Sequence, residues 1–238
     1  MMSNFGERLG GLDWPALCGD LDRQGWAVAP FFSAEECAEV DALWAVPSAF
    51  RKHVVMERHA FGQGVYRYWG YPLPPPVSAL RQALYRALAP QAELWRRWLG
   101  GGGAPYPADH AEYLARCAAA GQALPTPLLL RYQAGGYNCL HQDLYGSEMF
   151  PLQAAFLLSR PGTDFTGGEF ILVEQRPRAQ SRAQVVPLGQ GDMVVFAVNH
   201  RPVQGARGWY RGALRHGVGT IRTGARSALG IILHDAAS

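Results

Sequence analysis

The spacing of the apolar residues changes character near residue 127. Before it, they recur at the three- and four-residue intervals of a helix face. After it, they come in short runs separated by Gly, Pro and Asn. In the first part, residues 13–24 predict a helix and residues 25–30 a short strand. Ser33 with Glu36 forms a capping box. The helix it opens carries Cys37, Val40, Leu43 and Trp44 on one face, and Pro47 ends it. Alternating aromatic and polar residues predict a strand over 61–69, and Pro72–Pro76 an extended turn. Residues 79–99 are amphipathic, with a break or kink at Pro90. Gly100–Gly103 is the best internal boundary, and 110–120 predicts a last helix.

The second part predicts strands over 128–133, 141–144, 153–158, 169–173, 184–188, 193–198, 216–221 and 228–234. Short strands at this spacing suit a β-sandwich or jelly roll. The expected class is α+β: a helical N-terminal portion, 1–126, with one or two strands, packed on a core of 127–238 as one integrated domain.

Composition refines this picture. Of 238 residues, 48% are hydrophobic and 17% charged, which supports a sizeable core and excludes disorder. The net charge of +3 is uneven. From Arg160 onward ten arginines face five acids, whereas the first 159 residues are net negative. That asymmetry suits a solvated arginine surface, an anionic co-substrate or an anionic polymer. Lys52 is the only lysine, so the positive charge is guanidinium, the group that grips carboxylate or phosphate bidentately. Cys18, Cys37, Cys117 and Cys139 lack CxxC spacing, against a zinc ribbon or a disulfide framework. Met1–Leu12 has no basic start with an apolar run, and no stretch is long enough to span a bilayer. A cytoplasmic protein without a membrane partner is expected.

The candidate chemistry centres on His141-Gln-Asp143. On a strand, residues two apart point to one face and can hold two positions of one metal ion. A later histidine would complete a 2-His-1-carboxylate triad, a set that suits non-heme Fe(II). His200, His216 and His234 are available. His200 lies beside an expected Arg201-Pro202 turn. His216 opens a segment in which Thr223-Gly224 reads as a hairpin turn, bringing Arg226 onto the next strand. An arginine there could anchor the far carboxylate of a metal-chelating diacid; the same offset from His200 gives Tyr210. His53, His59 and His110 read as surface or capping residues. Phe61, Tyr66, Tyr68, Trp69 and Tyr71, with Arg67, form an aromatic stretch suited to core packing or to stacking on a base at a substrate mouth.

Several ordered motifs resemble those of the 2-oxoglutarate/Fe(II)-dependent dioxygenases, close to the prolyl-hydroxylase branch. They are Tyr132-Gln-Ala-Gly135, His141-Gln-Asp143, Phe165-Thr-Gly-Gly-Glu-Phe170, Gly191-Asp-Met-Val-Val-Phe196, His216-Gly-Val and Gly224-Ala-Arg226. The run from Gln175 to Asp235 is similar to a bacterial subfamily described as oxygenases acting on methyl-damaged DNA. The resemblance implies a double-stranded β-helix (jelly-roll) core. It implies Fe(II) on His141, Asp143 and His216, and 2-oxoglutarate anchored by Arg226 and Tyr132. It implies O2 as second co-substrate, with ascorbate as a stimulant. The aspartate at 143 points to hydroxylation or oxidative demethylation, because the superfamily's halogenases have a small residue there.

On this reading the substrate is an alkylated nucleobase, or a prolyl or other side chain of a protein or peptide. The Arg-x-Asn-x-x-x-Arg pattern of the alkylation-repair enzymes is absent after Arg222. A competing class is a jelly-roll module that binds a metal or a small acid without turnover. A third is the same ligand set holding Mn or Zn.

Overall fold

Side-chain hydrogen bonds start several of the helices. The computed structural model describes residues 5–238. It opens with α1 (Phe5–Gly10) and α2 (Trp14–Gln24). Asp13 Oδ1 accepts the Ala16 N–H at 3.0 Å to start α2, and Gly25, at φ +85°, stops it. After β1 (Trp26–Pro30), the Ser33–Glu36 box caps α3 (Ala34–Ala42). Glu36 also receives both Nη atoms of Arg8, at 2.7 and 2.8 Å, tying α1 to α3. Of the N-terminal stretch read for a leader, residues 1–4 lie outside the described residues, and the rest holds α1.

Two short 3-10 turns carry α3 past Pro47 into β2 (Phe50–Val55), a strand that the sequence pattern does not announce. The expected strand over 61–69 is two pieces, β3 (Gly62–Gln63) and β4 (Val65–Trp69). Then α4 (Pro75–Trp98) begins four residues earlier than expected. Pro75 and Pro76 sit in its first turn, where the missing N–H costs nothing, and the helix runs through Pro90 unbroken. Next come α5 (His110–Ala119), β5 (Leu128–Gln133) and β6 (Tyr137–His141). The chain continues through β7 (Leu152–Leu157), β8 (Phe165–Gly167), β9 (Phe170–Gln175) and β10 (Arg182–Val186). It ends with β11 (Asp192–Ala197), β12 (His200–Gly205), β13 (Gly208–Val218) and β14 (Ile221–Ile231).

The class is mixed α and β, with two antiparallel sheets. One has the order β1-β11-β7-β14-β5-β4-β2, with β8 beside β14; the other has β10-β9-β13-β6-β3, with β12 beside β13. A single cluster of buried apolar side chains joins Leu84 and Trp95 of α4 to Phe156 and Leu229 of the first sheet and Leu172 and Leu214 of the second. No helix among the described residues is long and apolar enough to cross a membrane.

Three expectations need correction. Thr223-Gly224 is not a turn: it lies inside β14, and Gly219-Thr220 carries the chain from one sheet to the other without reversing it. β13 and β14 belong to different sheets, so they do not form a hairpin. Gly224, at φ +78°, spends its left-handed freedom inside the strand, where a Cβ would collide with the Asp164 carbonyl oxygen. Arg201-Pro202 is likewise strand, in β12.

Candidate metal centre

Antiparallel pairing sets His216 of β13 directly opposite His141 of β6. Both imidazoles point inward, with ring centroids 4.2 Å apart. β6 ends at His141, so Asp143 is not on the same strand face as expected. It lies in the irregular segment just beyond, and the strand's end lets the chain bring it back toward both rings. Asp143 Oδ2 is 3.3 Å from His216 Nε2, and Oδ1 is 3.7 Å from His141 Nε2. One ligand atom from each of the three residues falls within 4.8 Å of the others. His200, on β12 opposite Ala213, is outside this group.

The surroundings fix the donor atoms. His141 Nδ1 donates to the Cys139 carbonyl at 2.8 Å, which leaves the Nε2 lone pair facing Asp143. Tyr145 Oη donates to Asp143 Oδ1 at 2.6 Å, and Gln153 Nε2 to Oδ2 at 2.7 Å. Burial opposes ionisation of Asp143, but the hydrogen bond and charge of His216, with help from His141 and Tyr145, hold its carboxyl well below the usual carboxylate range. Burial, reinforced by His141, pulls the His216 imidazole down despite Asp143. Ionised Asp143 and neutral His216 are the protonation states in which these groups would bind a divalent cation. Phe196 packs against the His216 ring at 4.7 Å and Phe170 at 6.0 Å, closing the inner side with apolar surface.

These residues line a cavity of about 530 Å³ that also holds Arg226 and Tyr132. Arg226 and Tyr132 are register partners on β14 and β5. Arg226 is 4% exposed, its Nε has no partner, and it makes no ion pair among the described residues. Its guanidinium carbon lies 5.8 Å from the Tyr132 ring and 5.9 Å from that of Phe165. Burial pulls the guanidinium below the ordinary arginine value, with Tyr132 opposing. Burial pushes the Tyr132 hydroxyl up to about 12, so it is a hydrogen-bond donor at neutral pH.

Tyr145 and Gln153 escape a reading of the sequence. Gln153 leaves a trace, a polar residue in the otherwise apolar run of β7, whereas Tyr145 leaves none. His110 is buried rather than superficial, with Nε2 donating to the Leu233 carbonyl at 2.8 Å. His53 and His59 are exposed. Of the aromatic stretch, Phe61, Tyr66 and Tyr68 line the cavity. Trp69 is in the core, Tyr71 donates to Asp235, and Arg67 turns away to lie over Trp44 at 4.2 Å.

The architecture recurs in solved 2-oxoglutarate/Fe(II) oxygenases. An oxidoreductase of that family from Burkholderia pseudomallei superposes with a TM-score of 0.57 at 18% identity, over 96% of this chain and 95% of the other. A Pseudomonas putida prolyl-4-hydroxylase gives 0.54 at 15% identity, over 91% and 96%. A Trichoplax adhaerens prolyl hydroxylase, solved with a peptide fragment of the hypoxia-inducible-factor oxygen degradation domain, gives 0.52 at 13%, over 94% and 88%. An uncharacterised protein from two strains of Mycobacterium tuberculosis is 52% identical over 166 residues, 70% of this chain and 71% of that one. Residues 64–236 match the family Oxygenase-NA, described as "Oxygenase, catalysing oxidative methylation of damaged DNA", and the chain belongs to that family. It is therefore an oxygenase, and hence an oxidoreductase.

Proposed function

We propose that His141, Asp143 and His216 hold Fe(II) as a facial triad, and that Arg226 with Tyr132 anchors the C5 carboxylate of 2-oxoglutarate. The enzyme would oxidise a C–H bond of an alkylated nucleobase. On this reading the two sheets form a double-stranded β-helix with the metal between them. Two imidazole nitrogens and one carboxylate are the donor set of non-heme iron oxygenases, and they leave coordination positions free for co-substrates. The observation that carries the proposal is Arg226: a buried guanidinium without a counter-charge, in the cavity that holds the triad. An unpaired buried cation is costly, and a bound carboxylate removes that cost.

Fe(II) with 2-oxoglutarate and O2 supplies oxidising power at the expense of the 2-oxo acid, which leaves as succinate and CO2. The chain's own residues do the rest. Tyr145 and Gln153 hold the Asp143 carboxylate in one orientation. Cys139 fixes the His141 tautomer. Phe170 and Phe196 exclude water from the His216 side. Arg226 sets the direction of the diacid across the cavity.

Nucleobase oxidation follows the family's description. Supporting it, the aromatic faces of Tyr66, Tyr68 and Phe61 line the cavity. The test is succinate release from 2-oxoglutarate with Fe(II), with methylated single-stranded DNA and proline-containing peptides in separate arms. DNA-stimulated release is expected, and stimulation by peptides alone would refute the substrate assignment. His216→Ala should lose most Fe(II) binding and His200→Ala should keep it; the reverse pattern would refute the triad.

A further inference from the structure

The register between β2 and β4 slips by one residue. Phe50 lies opposite Trp69 and Lys52 opposite Tyr68, so two steps on β2 match one on β4, and Arg51 is the extra residue of a bulge. In a regular strand, neighbouring side chains point to opposite faces. Here Phe50 stacks on Trp69, with ring centroids 5.3 Å apart, while Arg51 and Lys52, adjacent in sequence, both line the cavity. The bulge thus gathers two consecutive cations at one rim. Neither makes an ion pair with an acid among the described residues.

Arg51 is held in place. Its Nε donates to the Pro125 carbonyl at 3.0 Å, and its guanidinium carbon lies 4.9 Å above the Tyr68 ring. From there a chain of hydroxyls reaches the triad: Tyr68 and Tyr145 share a hydrogen bond of 2.9 Å, and Tyr145 donates to Asp143 at 2.6 Å. Arg51 therefore stands one tyrosine pair away from the Asp143 carboxylate. Beside them, Phe61 lines the cavity with 47% of its surface exposed, its ring stacked on His59 at 5.2 Å.

We propose that Arg51 and Lys52 clamp the phosphate backbone of a single-stranded nucleic acid whose base enters the cavity, with Phe61 as a stacking platform at the rim. This rests on the nucleobase reading above and specifies how that substrate is held. Paired cations next to exposed aromatic faces match a polymer that alternates phosphate with flat bases. An acidic peptide would use the cations and leave the aromatic faces without a role.

The probe is fluorescein-labelled single-stranded DNA carrying one methylated base. Its binding is followed by anisotropy, with Fe(II) and 2-oxoglutarate present and O2 excluded. The double variant R51Q/K52Q should weaken binding about tenfold. It should also flatten the dependence of log affinity on log salt by about one per cation removed. Lys52→Glu, at an exposed position, repeats the test without disturbing the Arg51 contacts. Phe61→Ala should weaken binding and leave the salt dependence unchanged. Arg182→Gln on β10, away from this cavity, removes the same kind of charge and should leave affinity unchanged.

Equal losses for Arg182→Gln and R51Q/K52Q would overturn the clamp, and so would unchanged affinity in R51Q/K52Q. A bulge with cations on an edge strand can also serve to block edge pairing, and β2 is an edge. Variants that self-associate while binding DNA normally would establish that role instead. Binding is read without turnover, so absent succinate release in the wild type would count against the oxygenase reading and not against the clamp.

Discussion

Arg226 has no acid to answer it among the described residues, and its stem is pinned from behind. Gly168, at φ +63°, lies against it: a Cβ there would be 3.2 Å from Arg226 Cδ and would collide with Ile221 Cδ1. Gly168→Ala is therefore expected to cost roughly 1–3 kcal/mol in urea unfolding, from the left-handed backbone alone. It should also weaken 2-oxoglutarate binding in a titration, because the displaced stem moves the guanidinium. Tyr145→Phe tests the support of the carboxylate. Loss of the 2.6 Å hydrogen bond to Asp143 should lower metal affinity about 10–100-fold by equilibrium dialysis, with little change in folding. At this scale the sequence was readable where the chemistry depends on residue type. His141, Asp143, His216 and Arg226 stand out by kind and order, whereas Tyr145 and Gln153 matter only through where folding delivers them.

The segment that follows the last strand is locked to α4 by one side chain. Arg81, 1% exposed, donates to the carbonyls of Ile232 and His234, to Tyr71 and Thr126, and to the Asp235 carboxylate at 2.8 Å. Arg81→Met leaves Asp235 buried without its charged partner, and a loss of roughly 3–5 kcal/mol is expected in denaturant melts. α5 reaches the same segment through His110. Burial, helped by the charge of Arg81, pulls this imidazole down to about 4. The unfolded chain takes up the proton near pH 6.5 and the folded chain only near 4. The contribution of His110 to stability is thus complete above about pH 6.5 and is lost as pH falls toward 4. His110→Gln, which keeps a donor for Leu233, should flatten the fall in melting temperature across that window.

Elements with caps or clear periodicity were legible: α2, α3, α5 and most strands of the second half. β2 was not, because Arg51, Lys52 and His53 break the apolar alternation at an edge where one face meets solvent. The outer half of β13 was missed for the same reason, with Trp209 and Arg211 exposed; β12 was missed because Arg201-Pro202 reads as a turn, whereas Arg201 is buried and paired with Glu174. The misplaced turn has a different cause. Thr223-Gly224 has the composition of a turn, and only the pairing of β14 with β8 keeps it extended.

At the scale of the molecule, a ligand that binds only the folded chain must stabilise it. Fe(II) with 2-oxoglutarate at about 100 times the dissociation constant should add roughly 2.7 kcal/mol. This would be seen as a raised melting temperature that a chelator reverses and that Asp143→Ala does not show. The general class, helices beside antiparallel sheets, was visible in the change of apolar period. The assignment of β13 and β14 to separate sheets was not, since it depends on contacts between segments far apart in sequence.

That separation has a consequence for selectivity. On the function proposed above, the metal-binding histidines stand on one sheet and the carboxylate anchor, Arg226, on the other. The distance from metal to anchor is thus the gap between two packed layers, fixed by the apolar side chains that hold them apart rather than by a loop. A site built this way would carry a ruler for diacids whose length is set by the protein's core. A diacid one methylene shorter or longer has to strain that packing to span the gap.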